Sequence, residues 1–75
     1  METYKNLSGS SGVAAFDFGT DYIRVRFTTG AIYIYSHSSA GMRHIEQMKI
    51  LAKAGSGLNA YINVHVRKLY SKKEY

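Results

Sequence analysis

The chain contains no cysteine and no proline, only five acidic residues, and no apolar run of membrane-spanning length. Without cysteine, neither a disulfide nor a thiolate metal site can supplement the stability of the fold. With no long apolar run, and no basic segment leading into an apolar one near the start, neither a transmembrane helix nor a secretory leader is expected. No membrane partner is expected either, and the expected location is cytoplasmic. Motifs of catalysis are equally scarce. No serine sits in a Gly-x-Ser-x-Gly turn or beside an evident base. His37, His44 and His65 are widely spaced and form no HxxxH pair. Only the fold could bring them together, so no metal site is expected. The expectation is a non-catalytic protein without cofactor or metal.

What is present bounds the rest. Seventy-five residues make one domain, near the small end of what folds without covalent or metal staples. An apolar fraction of 45% allows a thin core, to which association with a second copy would be a natural supplement. Ten Lys and Arg against five Asp and Glu give a formal charge of +5. The excess is uneven: after Asp21, nine cations face only Glu46 and Glu74. That distribution favours polyanionic partners through counterion release, and it also serves solubility.

The clearest local signal lies between Tyr22 and Tyr35. Residues 22–27 alternate, with Ile23, Val25 and Phe27 on one side and Tyr22, Arg24 and Arg26 on the other, the pattern of a half-buried strand. Thr28-Thr29-Gly30 is the turn, and Ala31–Tyr35 returns. A two-residue loop would put Thr29 at positive φ, which a β-branched side chain resists; a three-residue loop asks this only of Gly30. The longer loop sets Phe27 opposite Ala31, Val25 opposite Tyr33 and Ile23 opposite Tyr35. Arg26 and Arg24 then oppose Ile32 and Ile34. Tyr33 and Tyr35 join the core face, either as core residues with hydroxyls at the sheet edge or as a platform for stacked bases. The other face, with Tyr22, Arg24, Arg26, Ile32 and Ile34, is too cationic for a core and too apolar for ordinary solvent contact.

Around the hairpin, residues 1–12 read as a polar N-terminal segment, in which Ser8–Gly12 has linker composition. Val13–Phe18 reads as a first strand, turned into the hairpin by Gly19-Thr20-Asp21. Ser38 or Ser39 offers an N-cap beyond the hairpin. Met42, Ile45, Met48, Lys49 and Ala52 then recur at helical steps, and Lys53 and Gly55 suit a helix end. Leu58, Ile62, His65 or Val66, and Leu69 form a second helical face with Ser56 as cap. Ile62, Val64 and Val66 also alternate as a strand would, but length favours a helix. Arg67 to Tyr75 is the densest basic run, and residues 71–75 form a basic tail. The expected fold is α+β: a three-stranded antiparallel β-meander followed by two α-helices packed on one face, in a single domain over residues 13–70.

The ordered set Ser10-Ser11-Gly12-Val13, Phe16-Asp17, Ile23-x-Val25-x-Phe27, Gly30, Tyr33-x-Tyr35 and Ser56-Gly57-Leu58-Asn59-x-x-Ile62 resembles the KTSC domain. That small module stands at the C-terminus of some lysyl-tRNA synthetases and also alone as a bacterial protein. The resemblance runs from Ser10 to Tyr70. It departs at Phe16, where the family usually has Tyr, and at Leu58, where it has Phe. The family's Val-Pro before the first helix is missing. Asn63 replaces a common Arg, although Arg67, one helical turn on, would cover similar ground. Ile34 takes an often polar position and makes the open sheet face stickier. The resemblance implies three antiparallel strands with two helices on one face and, through the synthetase association, RNA binding.

Two function classes follow. In the first, the chain binds RNA or single-stranded nucleic acid. Phosphates would meet Arg67, Lys68, Lys72 and Lys73, with Arg24 and Arg26 on the sheet and Tyr22 or Tyr70 available for stacking. In the second, it is a protein-interaction module or homodimeric regulator, of the kind a phage or mobile element encodes. It would use Ile32 and Ile34 with Arg24 and Arg26 at the rim. Gly55-Ser56-Gly57 resembles a phosphate-binding helix start, or is a helix–helix turn with its cap. Asp17 and Asp21 read as strand-end turn residues rather than a carboxylate pair.

Overall fold

The computed structural model describes residues 1–7, 9 and 11–74. Ser8 and Ser10, in the stretch of linker composition, and Tyr75 lie outside the described residues. Five strands, Glu2–Thr3 (β1), Val13–Phe18 (β2), Tyr22–Phe27 (β3), Ile32–Ser36 (β4) and Lys72–Glu74 (β5), form one antiparallel sheet in sequence order. Between β4 and β5 lie helices His37–Ala40 (α1), Met42–Ala54 (α2) and Leu58–Tyr61 (α3). The last runs directly into a π-helical turn, Ile62–Val66.

The hairpin adopts the register that its turn demands. Val25 opposes Tyr33, Ile23 opposes Tyr35, and Arg24 and Arg26 oppose Ile34 and Ile32. Gly30 carries φ of 95°, a positive value that the neighbouring threonines would resist. Its N–H donates to the Phe27 carbonyl at 2.9 Å, and the Phe27 N–H donates to that of Ala31, also at 2.9 Å. The core lies between the sheet and the helices. Val13 and Phe16 of β2, Ile23 and Val25 of β3, and Tyr35 of β4 are buried there. They meet Ile45, Met48 and Ala52 of α2, with Leu58, Ile62 and Val66 from the last helical segment. Ile62 and Val66 are buried while Val64 between them is 75% exposed, so the helical step and not the strand step decides which residues face in.

The α+β class holds, but the count of three strands is corrected to five. Both extra strands come from segments expected to be a polar N-terminal stretch and a basic tail. A strand of two or three residues has no room for alternation, so pattern cannot reveal it; tertiary anchoring makes it. At the N-terminal side the anchor is Tyr4, 3% exposed and part of the core. Its N–H donates to the Ala14 carbonyl at 3.0 Å, and its hydroxyl accepts the Leu58 N–H at 3.3 Å. Leu7 then ties the segment to the end of α2 by donating to the Gly55 carbonyl at 2.8 Å. At the C-terminal side, the Ser71 N–H and hydroxyl both donate to the Ile34 carbonyl, at 2.7 and 3.1 Å, and start β5 along β4.

Other local expectations are also corrected. The cap after the hairpin is Ser36, which exchanges side-chain and backbone hydrogen bonds with Ser39 and so forms α1. Helix α2 starts at Gly41 and α3 at Gly57, neither with a side-chain cap. Met42 is 64% exposed and stands outside the α2 core stripe. Gly55 does end α2, with φ of 75° and its N–H donating to the Leu51 carbonyl at 3.0 Å. The helical path stops at Val66, before Leu69, because the chain must turn back toward the sheet edge to make β5.

Candidate nucleic-acid interface

The return of the chain from Val66 to β5 builds one wall of a cleft. Leu69 donates its N–H to the Val66 carbonyl at 2.8 Å, closing a tight turn, and Ser71 is pinned to Ile34. Tyr70, held between these two bonds, lies against Tyr33 edge-to-face with ring centres 4.8 Å apart. Phe27 also meets Tyr33 edge-to-face, with ring centres 5.5 Å apart. Tyr35 completes the row behind them, its ring 6.4 Å from that of Tyr33 and nearly parallel. A cleft of about 450 Å³ opens in front of these rings, with Asn63, Arg67 and Lys68 along its helical wall. That volume is within the usual range for sites taking a small organic group.

The cations around the cleft come from two elements. Arg67 and Lys68 follow the π-helical turn directly. Lys73 arrives on β5: paired with Tyr33, its ammonium stands 5.3 Å from the centre of that ring. Burial keeps the Tyr35 hydroxyl protonated well above the ordinary tyrosine range, with the neighbouring Tyr33 and Tyr70 adding to the effect. The floor of the cleft is aromatic while its rim is cationic. Tyr35 itself is 1% exposed and belongs to the core; Tyr33, half-buried, is the ring that the cleft presents. Asn63 lines the cleft together with Arg67.

The opposite face of the sheet behaves differently. Arg24 donates to the Asp17 carboxylate at 2.8 Å, directly across from it on β2. It also reaches over β4 to Glu74 at 3.8 Å. The bond to Asp17 and its charge hold the Arg24 guanidinium protonated beyond its already high ordinary range. Two carboxylates around one guanidinium neutralise Arg24. Asp17 is thus an ion-pair partner and not the turn residue expected, because β2 extends past it to Phe18. Arg26 is exposed, and Lys72 faces the same side as Ile34. Ile32 and Ile34 are half-buried because β5 now flanks them.

The ten expected site residues therefore divide between two surfaces. Arg67, Lys68 and Tyr70 line the cleft, and Lys73 stands over the ring of Tyr33. Tyr33, expected either as a core residue or as a stacking platform, lines it too, together with Phe27 and Asn63, which were not expected as site residues. Tyr22, Arg24, Arg26, Lys72, Ile32 and Ile34 share the other face. Period-two alternation already separated Tyr33 from Arg24, but nothing local placed Lys72 and Lys73 on opposite sides.

Further polar clusters complete the surface. Glu46 accepts from Lys49 at 2.9 Å and lies 3.0 Å from His37; these bonds, the lysine's first, hold its carboxyl below the ordinary range. Lys49 also donates to the Thr20 carbonyl at 3.0 Å, so its charge is engaged. The glycine-flanked start of α3 is no anion site, since the Tyr4 hydroxyl takes its Leu58 N–H and the helix has only four residues. No helix among the described residues is long and apolar enough to cross a membrane. Comparison of the chain with models of protein families, with curated proteins and with solved structures finds no match in any of the three.

Proposed function

We propose that the chain is a non-catalytic, cytoplasmic binding module for RNA or single-stranded nucleic acid, and that the aromatic cleft is its contact surface. The observation that carries this reading is the pairing of a tyrosine floor with a cationic rim assembled from two separate elements, the segment after Val66 and β5. An unstacked base lies against the exposed parts of Tyr33 and Tyr70, and its flanking phosphates meet Arg67, Lys68 and Lys73. Base–aromatic contact of this kind contributes about 1–3 kcal/mol per base and tolerates any sequence. Bases in a duplex are already stacked and paired, so the cleft favours single strands, loops and ends. The resemblance to the KTSC domain supports the same partner by analogy of context.

The test is fluorescence anisotropy of labelled tRNA and of a single-stranded oligonucleotide at low and physiological salt. Binding that drops in Arg67→Gln/Lys68→Gln and in Tyr33→Ala, and not in Arg26→Gln, supports the cleft. No binding at low salt overturns the reading. A protein partner or homodimer on the Ile32/Ile34 face has less support, because those side chains are half-buried and Arg24 is neutralised by Asp17 and Glu74. That alternative requires Ile34→Glu to abolish an association seen by sedimentation while leaving the fold intact.

A further inference from the structure

Two histidines that the sequence keeps 21 positions apart share one corner of the molecule. His44 on α2 and His65 in the π-helical turn place their ring centres 5.4 Å apart. Tyr61 joins them: its hydroxyl is 2.7 Å from Nδ1 of His44, and its ring centre is 4.4 Å from that of His65. His37, by contrast, is occupied by Glu46.

We propose that His44 and His65 form a binding site for a borderline-soft divalent cation of the zinc, nickel or copper class, with Tyr61 as a positioning residue. The spacing supports this. Zn–N bonds are about 2.05 Å and an imidazole centre lies about 1.1 Å behind its nitrogen, so two histidines on one tetrahedral ion have ring centres about 5.2 Å apart. The observed separation matches that value. Tyr61 supplies the outer partner that ligating histidines ordinarily have. With a cation on Nε2 of His44, the ring proton resides on Nδ1 and is donated to the Tyr61 hydroxyl, which sets both tautomer and ring orientation.

His65 is exposed and His44 only half-buried, which leaves solvent access to both rings. Among the described residues no group of three or more His, Cys, Asp or Glu is placed to hold a metal ion. Water therefore completes the coordination sphere, and the site is open and exchangeable rather than closed and structural. The π-helical turn that carries His65 is a rare local geometry, and such turns recur at functional sites. A bound ion would clamp this turn to α2, immediately before Arg67 and Lys68. The proposal does not depend on nucleic-acid binding.

The experiment is calorimetric titration of the full chain with Zn²⁺, Ni²⁺ and Cu²⁺ separately, alongside thermal unfolding at increasing ion concentration. One ion should bind per chain and raise the melting temperature. His65→Ala, a change at an exposed position, should weaken binding about tenfold or more and remove the thermal shift; His44→Ala should do the same. Tyr61→Phe keeps both ligands and should weaken binding about tenfold, as loss of an outer hydrogen-bond partner does. His37→Ala should change nothing. Absence of saturable binding, or binding unaltered in His65→Ala with its helix content intact, overturns the site.

Discussion

The salt dependence of nucleic-acid binding distinguishes the two cationic surfaces. Arg67 and Lys68 line the cleft, and Lys73 stands over the ring of Tyr33 beside it, three cations in all. Each phosphate neutralised on a single strand contributes about −0.7 to the slope of log affinity against log salt, so three give about −2.1. Between about 50 and 200 mM salt, affinity should then fall about 18-fold. Arg67→Gln/Lys68→Gln leaves Lys73, and the slope should flatten to about −0.7, a fall of only about 2.6-fold over the same range. Arg26→Gln/Lys72→Gln, on the other sheet face, should leave the slope unchanged. Arg24→Gln should also leave it unchanged, because that guanidinium sits between Asp17 and Glu74. Anisotropy titrations with a labelled single strand at several salt concentrations across that range read each slope directly. A slope unmoved by Arg67→Gln/Lys68→Gln, or one flattened by Arg26→Gln/Lys72→Gln, refutes the assignment of the contact to the cleft.

Three further predictions concern the fold that holds the cleft. Tyr4→Ala empties a core position and should cost about 3–5 kcal/mol, a large part of the total for so small a domain, whereas Tyr4→Phe loses only the bond to Leu58 and should cost about 1 kcal/mol. Urea unfolding separates the two; a mild Tyr4→Ala would mean that the N-terminal segment is not part of the cooperative unit. Gly55→Ala combines positive φ with a Cβ placed 2.5 Å from that of Lys5. It should cost at least about 1–2 kcal/mol, or about 4–16 °C in melting temperature. The Tyr35 hydroxyl, whose pKa is raised by burial, gives an alkaline signature. Its stabilising contribution is complete below the ordinary tyrosine value of 10.0, where folded and unfolded chains are both protonated. It is lost as pH rises above 10.0, because the unfolded chain ionises first. Denaturant midpoints should therefore fall across that window, and less so in Tyr35→Phe.

Some of this was legible in residue order. Ile23, Val25, Tyr33 and Tyr35 announced their face by alternation, and Gly30 selected the loop length that set their register. Ile45, Met48 and Ala52 announced α2 by helical recurrence. In each case a repeated local geometry left its period in the sequence over at least five residues, and covalent neighbours decide such geometry. The short strands β1 and β5 left no period. Their existence rests on Tyr4 meeting Leu58, 54 positions away, and on Ser71 meeting Ile34, 37 positions away.

The same division runs through the sites. Composition alone established a cationic chain without cysteine chemistry, and the basic run after Val66 marked where the cations concentrate. Tertiary structure decided which of them act together. Strand pairing sent Lys73 to the tyrosines and Lys72 to the other face, and it surrounded Arg24 with carboxylates. The fold also brought His44 to His65, against the expectation from their spacing. Periodicity records which side of its own element a residue faces; only packing between elements, fixed by contacts distant in sequence, determines what that side meets.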